Sequence, residues 1–379
     1  MNICLAHGVV DGHSGSGRYI ADLAGRLAED GHQVTLVCNE CDRSLLSAPV
    51  EVVELARVPS QLWRLGHVAV LPWNHRIVGR ILAGRRFDAL LGSDLMLLRP
   101  LRAGAASRAK FIYTPLSMIA PIEIASYELG GFRGLAGVRL YAYLQRWALT
   151  NCDVVVRFTP SAVTALERYF RLDLSAKALV SVYVSREFER TGQDSEPVET
   201  ARPSPRELLW VGRLVASKNV AFLLRAVAKL PGDDWVLNVC SGGPERANLE
   251  AQSRALGLEG RVRFLGAVPD LPAVYRRAAL MLTASVLEQY SLTIMEAYAF
   301  AVPCIGLRPN WTTVFNSNED QIEDAVTGYV VEDEADMAAR IESLLGDEPL
   351  RQRFAQAAYR KKQQGFSFES FYRSLSSAL

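Results

Sequence analysis

The stretch SVLEQYSLTIMEAYAFAVPCIG, Ser285 to Gly306, sets two acids, Glu288 and Glu296, eight positions apart across a change of local structure. Before it, LMLTAS (Leu280 to Ser285) is a short apolar run of the kind buried inside a parallel sheet. After it, LTIMEAYAFA has helical spacing, with Ile294, Tyr298 and Ala301 on one stripe. The pair therefore brackets a strand-to-helix crossing. In an α/β protein the carboxyl end of a parallel strand opens into the crevice where ligands bind, and the next helix offers unpaired backbone N–H groups to an anion. Glu288, at the strand tip, is placed to accept hydrogen bonds from sugar hydroxyls. Glu296, in the first helical turns, is placed to chelate the two hydroxyls of a ribose. The competing reading is two solvated carboxylates, with Glu296 complementing the helix dipole.

Upstream, LLWVGRLVASKNVAFLLRAVAKL (Leu208 to Leu230) reads as a buried strand, a Gly212-Arg213 turn and an amphipathic helix with Phe222, Leu223, Ala226 and Leu230 inward. Arg213 and Lys218 sit five apart in the connection. Two cations at a strand end suit a diphosphate leaving group, because charge grows on the bridging oxygen as a glycosidic C–O bond breaks. The alternative is two surface cations on a loop. Between the two stretches a strand ends in Ser241-Gly242-Gly243-Pro244, then come a helix, a strand from Arg261 to Leu265, Gly266, and a helix around Tyr275. The order is β-α-β-α-β. Gly242 and Gly243 let backbone come close to a ligand, or simply make a turn.

The amino-terminal half begins with a strand (Asn2 to Ala6) and a loop holding Gly12, Gly15 and Gly17. An amphipathic helix carrying Ile20, Leu23, Ala24 and Leu27 follows, then a strand from Val34 to Cys38. Such a loop also invites a reading as a dinucleotide fingerprint, with Glu40 as the ribose acid. That reading fits poorly: Gly15-Ser16-Gly17 is followed by Arg18, Tyr19 and Ile20, so the third glycine is missing.

The 379 residues suffice for two domains, and a net charge of +1 predicts no bulk attraction to nucleic acid. Neither a signal peptide nor a membrane-spanning apolar run is visible, and the six cysteines are scattered, so the expected setting is a reducing cytoplasm without structural zinc. The polar run TGQDSEPVETARPSPRE, residues 191–207, reads as a linker. It separates a first domain (1–190) from a second (208–365), and residues 366–379 form a terminal helix. From Arg57 to Lys110 ten basic residues face two acids, with Trp63 and Trp73 interleaved. A membrane-surface face or a lid over an anion is one reading. A solvated face is preferred, because basic and apolar residues are not separated by helical period.

Taken together these residues resemble the retaining nucleotide-sugar glycosyltransferases of family 4, whose GT-B fold is α/β, two facing Rossmann-like domains with the active site in the interdomain cleft. The resemblance covers nearly the whole chain and is strongest from Leu208 to Val331, with Thr327-Gly328 matching the usual ending of the nucleotide domain. It implies that Arg213 and Lys218 hold the donor diphosphate, Glu288 the transferred sugar and Glu296 the ribose. It places the base near Phe264, Leu265 and Gly266, with Gly212, Gly242, Gly243, Tyr290, Ser291 and Leu292 lining the same pocket. Gly15, Ser16 and Gly17 would close over the donor from the first domain, and the terminal helix would return there.

The resemblance further implies retention of anomeric configuration without a protein nucleophile and without a metal, since no D-x-D pair is present and the two cations supply the charge. The nucleotide sugar is a co-substrate, no cofactor is expected, and uridine is the default nucleotide. Departures are specific. The family's first-domain histidine is replaced by the stretch Thr114-Pro115-Leu116, and its glycines by Ser291 and Ala301. Ser291 is expected still to offer a backbone N–H to phosphate. Asp11 and His13, then Asp94, with Thr114, are the candidate acceptor contacts, and His7 also follows the first strand. The acids Asp11, Asp94, Glu123 and Glu128 suit a small polar or cationic acceptor such as an aminoglycoside. A glycan or lipid-linked acceptor is the competitor, and a non-catalytic nucleotide-sugar-binding protein the third class.

Overall fold

Apolar runs of four to six residues, most of them followed by a helix, have no hairpin by which to pair antiparallel, so their strands stack in parallel between helical layers. The computed structural model describes residues 1–12, 14–55, 67–116, 131–184, 186, 206–363 and 367–379. His13, Trp63, Glu123, Glu128 and most of the expected linker lie outside the described residues. The chain divides into two units, Met1–Ser185 with Glu369–Leu379, and Arg186–Phe368.

In the first unit the order is β1 (Asn2–Ala6), α1 (Gly15–Glu29), β2 (Gln33–Cys38), β3 (Glu51–Glu54), α2 (His67–Ile81), β4 (Ala89–Gly92), α3 (Leu95–Ala103), β5 (Lys110–Tyr113), α4 (Gly131–Asn151), β6 (Val154–Arg157), α5 (Pro160–Phe170) and β7 (Ala178–Val180). The strands form one parallel sheet in the order β3-β2-β1-β4-β5-β6-β7. Its centre is dry: Ile3, Cys4, Leu5 and Ala6 are fully buried, which requires cover on both faces.

The second unit contains β8 (Glu207–Val211), α6 (Val220–Val227), β9 (Val236–Cys240), α7 (Arg246–Ala255), β10 (Val262–Gly266), α8 (Leu271–Arg277), β11 (Leu280–Thr283), β12 (Leu287–Glu288), α9 (Leu292–Ala299), β13 (Cys304–Leu307), β14 (Phe315–Asn316), α10 (Asn318–Gln321), β15 (Gly328–Val331), α11 (Glu334–Gly346) and α12 (Glu348–Gln363). Its parallel sheet runs β10-β9-β8-β11-β13-β15, with β12 and β14 paired apart from it. Leu208, Trp210, Leu223, Leu237, Leu280, Ile305 and Ile341 form its core. In both sheets the first strand lies in the middle and the winding reverses beside it, between β1 and β4 and between β8 and β11. Doubly wound sheets bind ligands at that reversal.

The last helix, α13 (Phe368–Ser376), sends Phe371 among Tyr19 and Tyr183, with ring centroids 5.7 Å away in each case. Arg26 pairs with Glu369 and covers the Tyr372 ring at 4.5 Å. Among the described residues no helix is long and apolar enough to cross a membrane.

Two local expectations need correction. Ala301 is not on the helical stripe, because α9 stops at Ala299. Val302 N–H bonds to the Ala297 carbonyl and Ala301 N–H to that of Tyr298, so Ala301 sits at a left-handed φ of 54° in a helix-ending motif that ordinarily holds glycine. The strand expected at 261–265 runs instead from Val262 to Gly266, because a register shift between Val239 and Cys240 carries the pairing one residue further.

Candidate functional site

The loops after β8, β11 and β13 emerge side by side because those three strands are neighbours. Backbone bonds tie them together: Val286 N–H donates to the Ser217 carbonyl at 2.8 Å, and Phe315 N–H donates to the Val286 carbonyl at 2.7 Å. Asn316, wholly buried, adds amide bonds to the carbonyls of Ser285 at 2.9 Å and Leu307 at 3.1 Å. A short 3-10 turn, Ala216–Lys218, ends at Asn219, whose left-handed φ of 51° swings the chain into α6.

The consequence is a contact across the winding reversal. The Lys218 ammonium donates to the Glu288 carboxylate, with side chains 28% and 18% exposed. Lys218 is expected to hold the donor diphosphate, and here its charge is balanced by Glu288, the acid expected to hold the sugar. Arg213 is exposed, and its guanidinium has no hydrogen-bond or ion-pair partner among the described residues. The group therefore offers the Arg213 guanidinium and those Lys218 N–H donors that Glu288 does not use.

Glu296 is 8% exposed and accepts from the Tyr275 hydroxyl at 2.7 Å. Tyr275 is held in turn by stacking on Phe300, centroids 5.6 Å apart and planes 7° from parallel. Burial, and then the Glu296 charge, raise the Tyr275 hydroxyl far above the ordinary tyrosine range, so it stays a donor. The same causes in the same order raise Tyr290. Tyr275 was read only as a marker of its helix. Its signal was a phenol on an inward-facing apolar stripe, since a buried tyrosine needs a partner for its hydroxyl.

Ser291 overturns one expectation. Its backbone N–H is not free for phosphate: it donates to Gln321 Oε1 at 2.8 Å, and Gln321 Nε2 donates back to the Ser291 carbonyl at 2.9 Å. The Ser291 hydroxyl lies 2.9 Å from that of Thr293 and does not cap the helix. The helix donors left to an anion begin at Leu292, the first residue of α9, one residue later than expected.

At the carboxyl end of β9, Gly243 has a φ of 159°, and a Cβ there would collide with the Leu214 backbone. Leu214 N–H bonds to the Gly242 carbonyl at 2.9 Å. The close approach this glycine allows is thus to the loop carrying Arg213 and Lys218, while space beside Gly242 is open. Gly212, with φ 155°, begins that loop. Phe264 is half-buried, Leu265 exposed, and Gly266 takes a left-handed φ of 71° beside Ser241, whose N–H it accepts at 2.6 Å. All these residues lie at the carboxyl ends of the neighbouring strands β8, β9 and β10.

In the first unit the expected contacts have local partners. Ser14 caps α1 by accepting from Gly17 N–H at 3.0 Å, and Asp11 accepts from Ser14 N–H at 2.7 Å. A Cβ on Gly17 would press on the Asp11 backbone, which explains that glycine. Gly15 and Ser16 open the helix. Asp94 caps α3 through Met96 N–H at 2.8 Å, and burial raises its carboxyl above the ordinary aspartate value. Thr114 accepts from Tyr19 at 3.3 Å. Of the basic run, Arg85 is matched to Glu51 at 2.6 Å, Arg102 donates to the Ala106 carbonyl at 3.1 Å, and Arg99 covers the Trp147 ring at 4.8 Å.

His7 faces Ser93 across the reversal of the first sheet, Nδ1 to Oγ 2.8 Å. Burial pushes its imidazole down from 6.5 to about 4, opposed in part by Asp11. The folded state thus refuses a proton that the unfolded chain accepts, and stability falls as pH drops from 6.5 towards 4. The full loss is on the order of 3 kcal/mol. Urea midpoints of the wild type and His7→Asn should diverge over that window, the wild type losing more. Parallel pH curves would contradict this.

Residues 193–361 match the family Glycosyl transferases group 1, and residues 13–177 match Glycosyltransferase Family 4. The alpha-D-kanosaminyltransferase of Streptomyces kanamyceticus is 31% identical over 45% of this chain, and the match spans only 42% of that protein. The lipopolysaccharide core biosynthesis glycosyltransferase LpsE of Rhizobium meliloti is 29% identical over 79% of this chain and 84% of its own length. Among solved structures, HepE of Anabaena in complex with UDP-glucose aligns with a TM-score of 0.72 at 16% identity, covering 100% of this chain and 98% of that one.

Proposed function

The chain belongs to the glycosyltransferases of group 1 and family 4 and has their GT-B fold of two Rossmann-like domains, and from this we propose that it moves a sugar from a UDP-sugar to a hydroxyl of a small polar acceptor, with retention of configuration. The observation that carries the reading is the Lys218–Glu288 pair across the winding reversal of the second sheet. Diphosphate arriving there meets the exposed guanidinium of Arg213, the ammonium of Lys218 and the first N–H groups of α9. Glu288 turns a carboxylate to the sugar, and Glu296, fixed by Tyr275, receives the ribose hydroxyls.

As the glycosidic bond lengthens, negative charge moves onto the diphosphate oxygen that these donors surround. That oxygen then takes the proton of the acceptor hydroxyl attacking on the same face, so the protein needs neither a nucleophile nor a metal. Arg213 and Lys218 take the place of the cation. We assign the acceptor to the first unit, with Asp11 its foremost contact, and the reaction to the cytoplasm.

The kanosaminyltransferase relative is named for the amino sugar it transfers, and the aminoglycoside-type acceptor rests on the acids Asp11 and Asp94. The longer match to LpsE favours a second reading, a glycan acceptor of the cell surface. Binding to anionic vesicles separates them: the first reading expects none, and salt-sensitive binding favours the second. Hydrolysis assays with UDP-, GDP- and dTDP-sugars test the donor. Binding without hydrolysis or transfer would leave only a nucleotide-sugar-binding protein.

A further inference from the structure

Among the described residues, the buried carboxamide side chains of the strand-end loops are paired, except one. Asn316 holds two carbonyls, Gln321 bonds Ser291 in both directions, and Asn318 donates to the Leu307 carbonyl at 2.8 Å. Gln289, between Glu288 and Tyr290, is 3% exposed, and neither its amide oxygen nor its amide nitrogen has a hydrogen-bond partner among the described residues. A buried amide left without partners costs about 1–3 kcal/mol, and an apolar side chain of the same shape would avoid that cost. Neighbouring amides in the same loops find partners, so the local fold does not forbid them. A persistent cost of this kind at a strand end points to a group that completes the bonds only when bound.

The chemistry of the missing partner follows from the amide itself. Carboxamide presents two N–H donors and a carbonyl acceptor, and the groups that match both kinds at once are those that donate and accept, foremost a sugar hydroxyl. Phosphate oxygens only accept and would leave the amide carbonyl bare. The adjacent residue in the chain is Glu288, on the two-residue strand β12 that faces Lys218.

We infer that Gln289 is a specificity-determining residue that hydrogen-bonds a hydroxyl of the donor's sugar ring, which rests on the reading of this site as a nucleotide-sugar site. The residue then acts on which sugar is accepted and leaves the grip on the nucleotide untouched.

The test uses the full chain and a Gln289→Met variant of similar shape. Thermal unfolding without ligand should show Gln289→Met at least as stable as the wild type, since a buried unpaired amide is removed. Calorimetric titration with UDP should give affinities within about twofold, while UDP-glucose should bind the variant about tenfold more weakly, one hydrogen bond's worth. UDP-glucose analogues lacking one ring hydroxyl complete the cycle. For one of them the wild type should lose about tenfold and Gln289→Met nothing, because the partner is already gone.

Equal losses in both proteins for every analogue, or equal UDP-glucose affinities, would overturn the inference while leaving the site in place. Should the wild type bind neither UDP nor any UDP-sugar, the reading of the site itself fails and the inference with it.

Discussion

Lys218→Met should lower donor turnover by on the order of 10²-fold or more, with the fold intact. Two losses combine. The diphosphate leaving group loses a cation that would stabilise the charge it gains, and the Glu288 carboxylate, 18% exposed, loses its counter-charge. Glu288→Gln should cost a similar factor, because a neutral amide replaces the charged acceptor for the sugar hydroxyl and the anion that positions the ammonium is lost. The double variant Lys218→Met/Glu288→Gln should be little worse than either single one, since residues that act as a unit are far from additive. Steady-state kinetics with the preferred donor, alongside circular dichroism to verify folding, checks all three. Turnover near normal in Lys218→Met, or strictly multiplicative losses in the double variant, would contradict a shared role.

Glu296→Ala should weaken UDP binding by on the order of 10²-fold, because two hydroxyl hydrogen bonds to a carboxylate are lost, each contributing about 1.5–3 kcal/mol before compensation. Tyr275→Phe should cost less, about tenfold. It keeps the ring stacked on Phe300 but removes the hydroxyl that aims the carboxylate from 2.7 Å. The discriminating ligand is 2′,3′-dideoxy-UDP. Wild type should bind it as weakly as Glu296→Ala binds UDP, and Glu296→Ala should not distinguish the two nucleotides. If both proteins discriminate against the dideoxy compound equally, Glu296 does not touch the ribose.

Much of this fold is written locally. The runs at 208–211 and 280–283 are legible as buried parallel strands because they are apolar without alternation, and Phe222, Leu223 and Ala226 mark α6 by helical period. Glu288 and Glu296 stand out because they flank a strand-to-helix crossing.

What was not legible is pairing at a distance. Lys218 and Glu288 are 70 residues apart and meet because β8 and β11 are sheet neighbours, a fact of topology with no local pattern. Gln321 reaches Ser291 from 30 residues away, which is why the Ser291 N–H looked free. The strands β12 and β14, of two residues each, are too short to show a period of two. Tyr275 and Gln289 needed side-chain environments: one phenol whose partner lies 21 residues on, and one amide without a partner among the described residues.

Proton NMR of the wild-type protein incubated with UDP-, GDP- and dTDP-sugars tests the central claim most directly. At least one donor should be consumed, releasing nucleoside diphosphate and a sugar whose anomeric configuration is unchanged, and Lys218→Met should slow that release by about 10². A chain that neither binds nor cleaves any of these donors, or one that releases an inverted sugar, would contradict it.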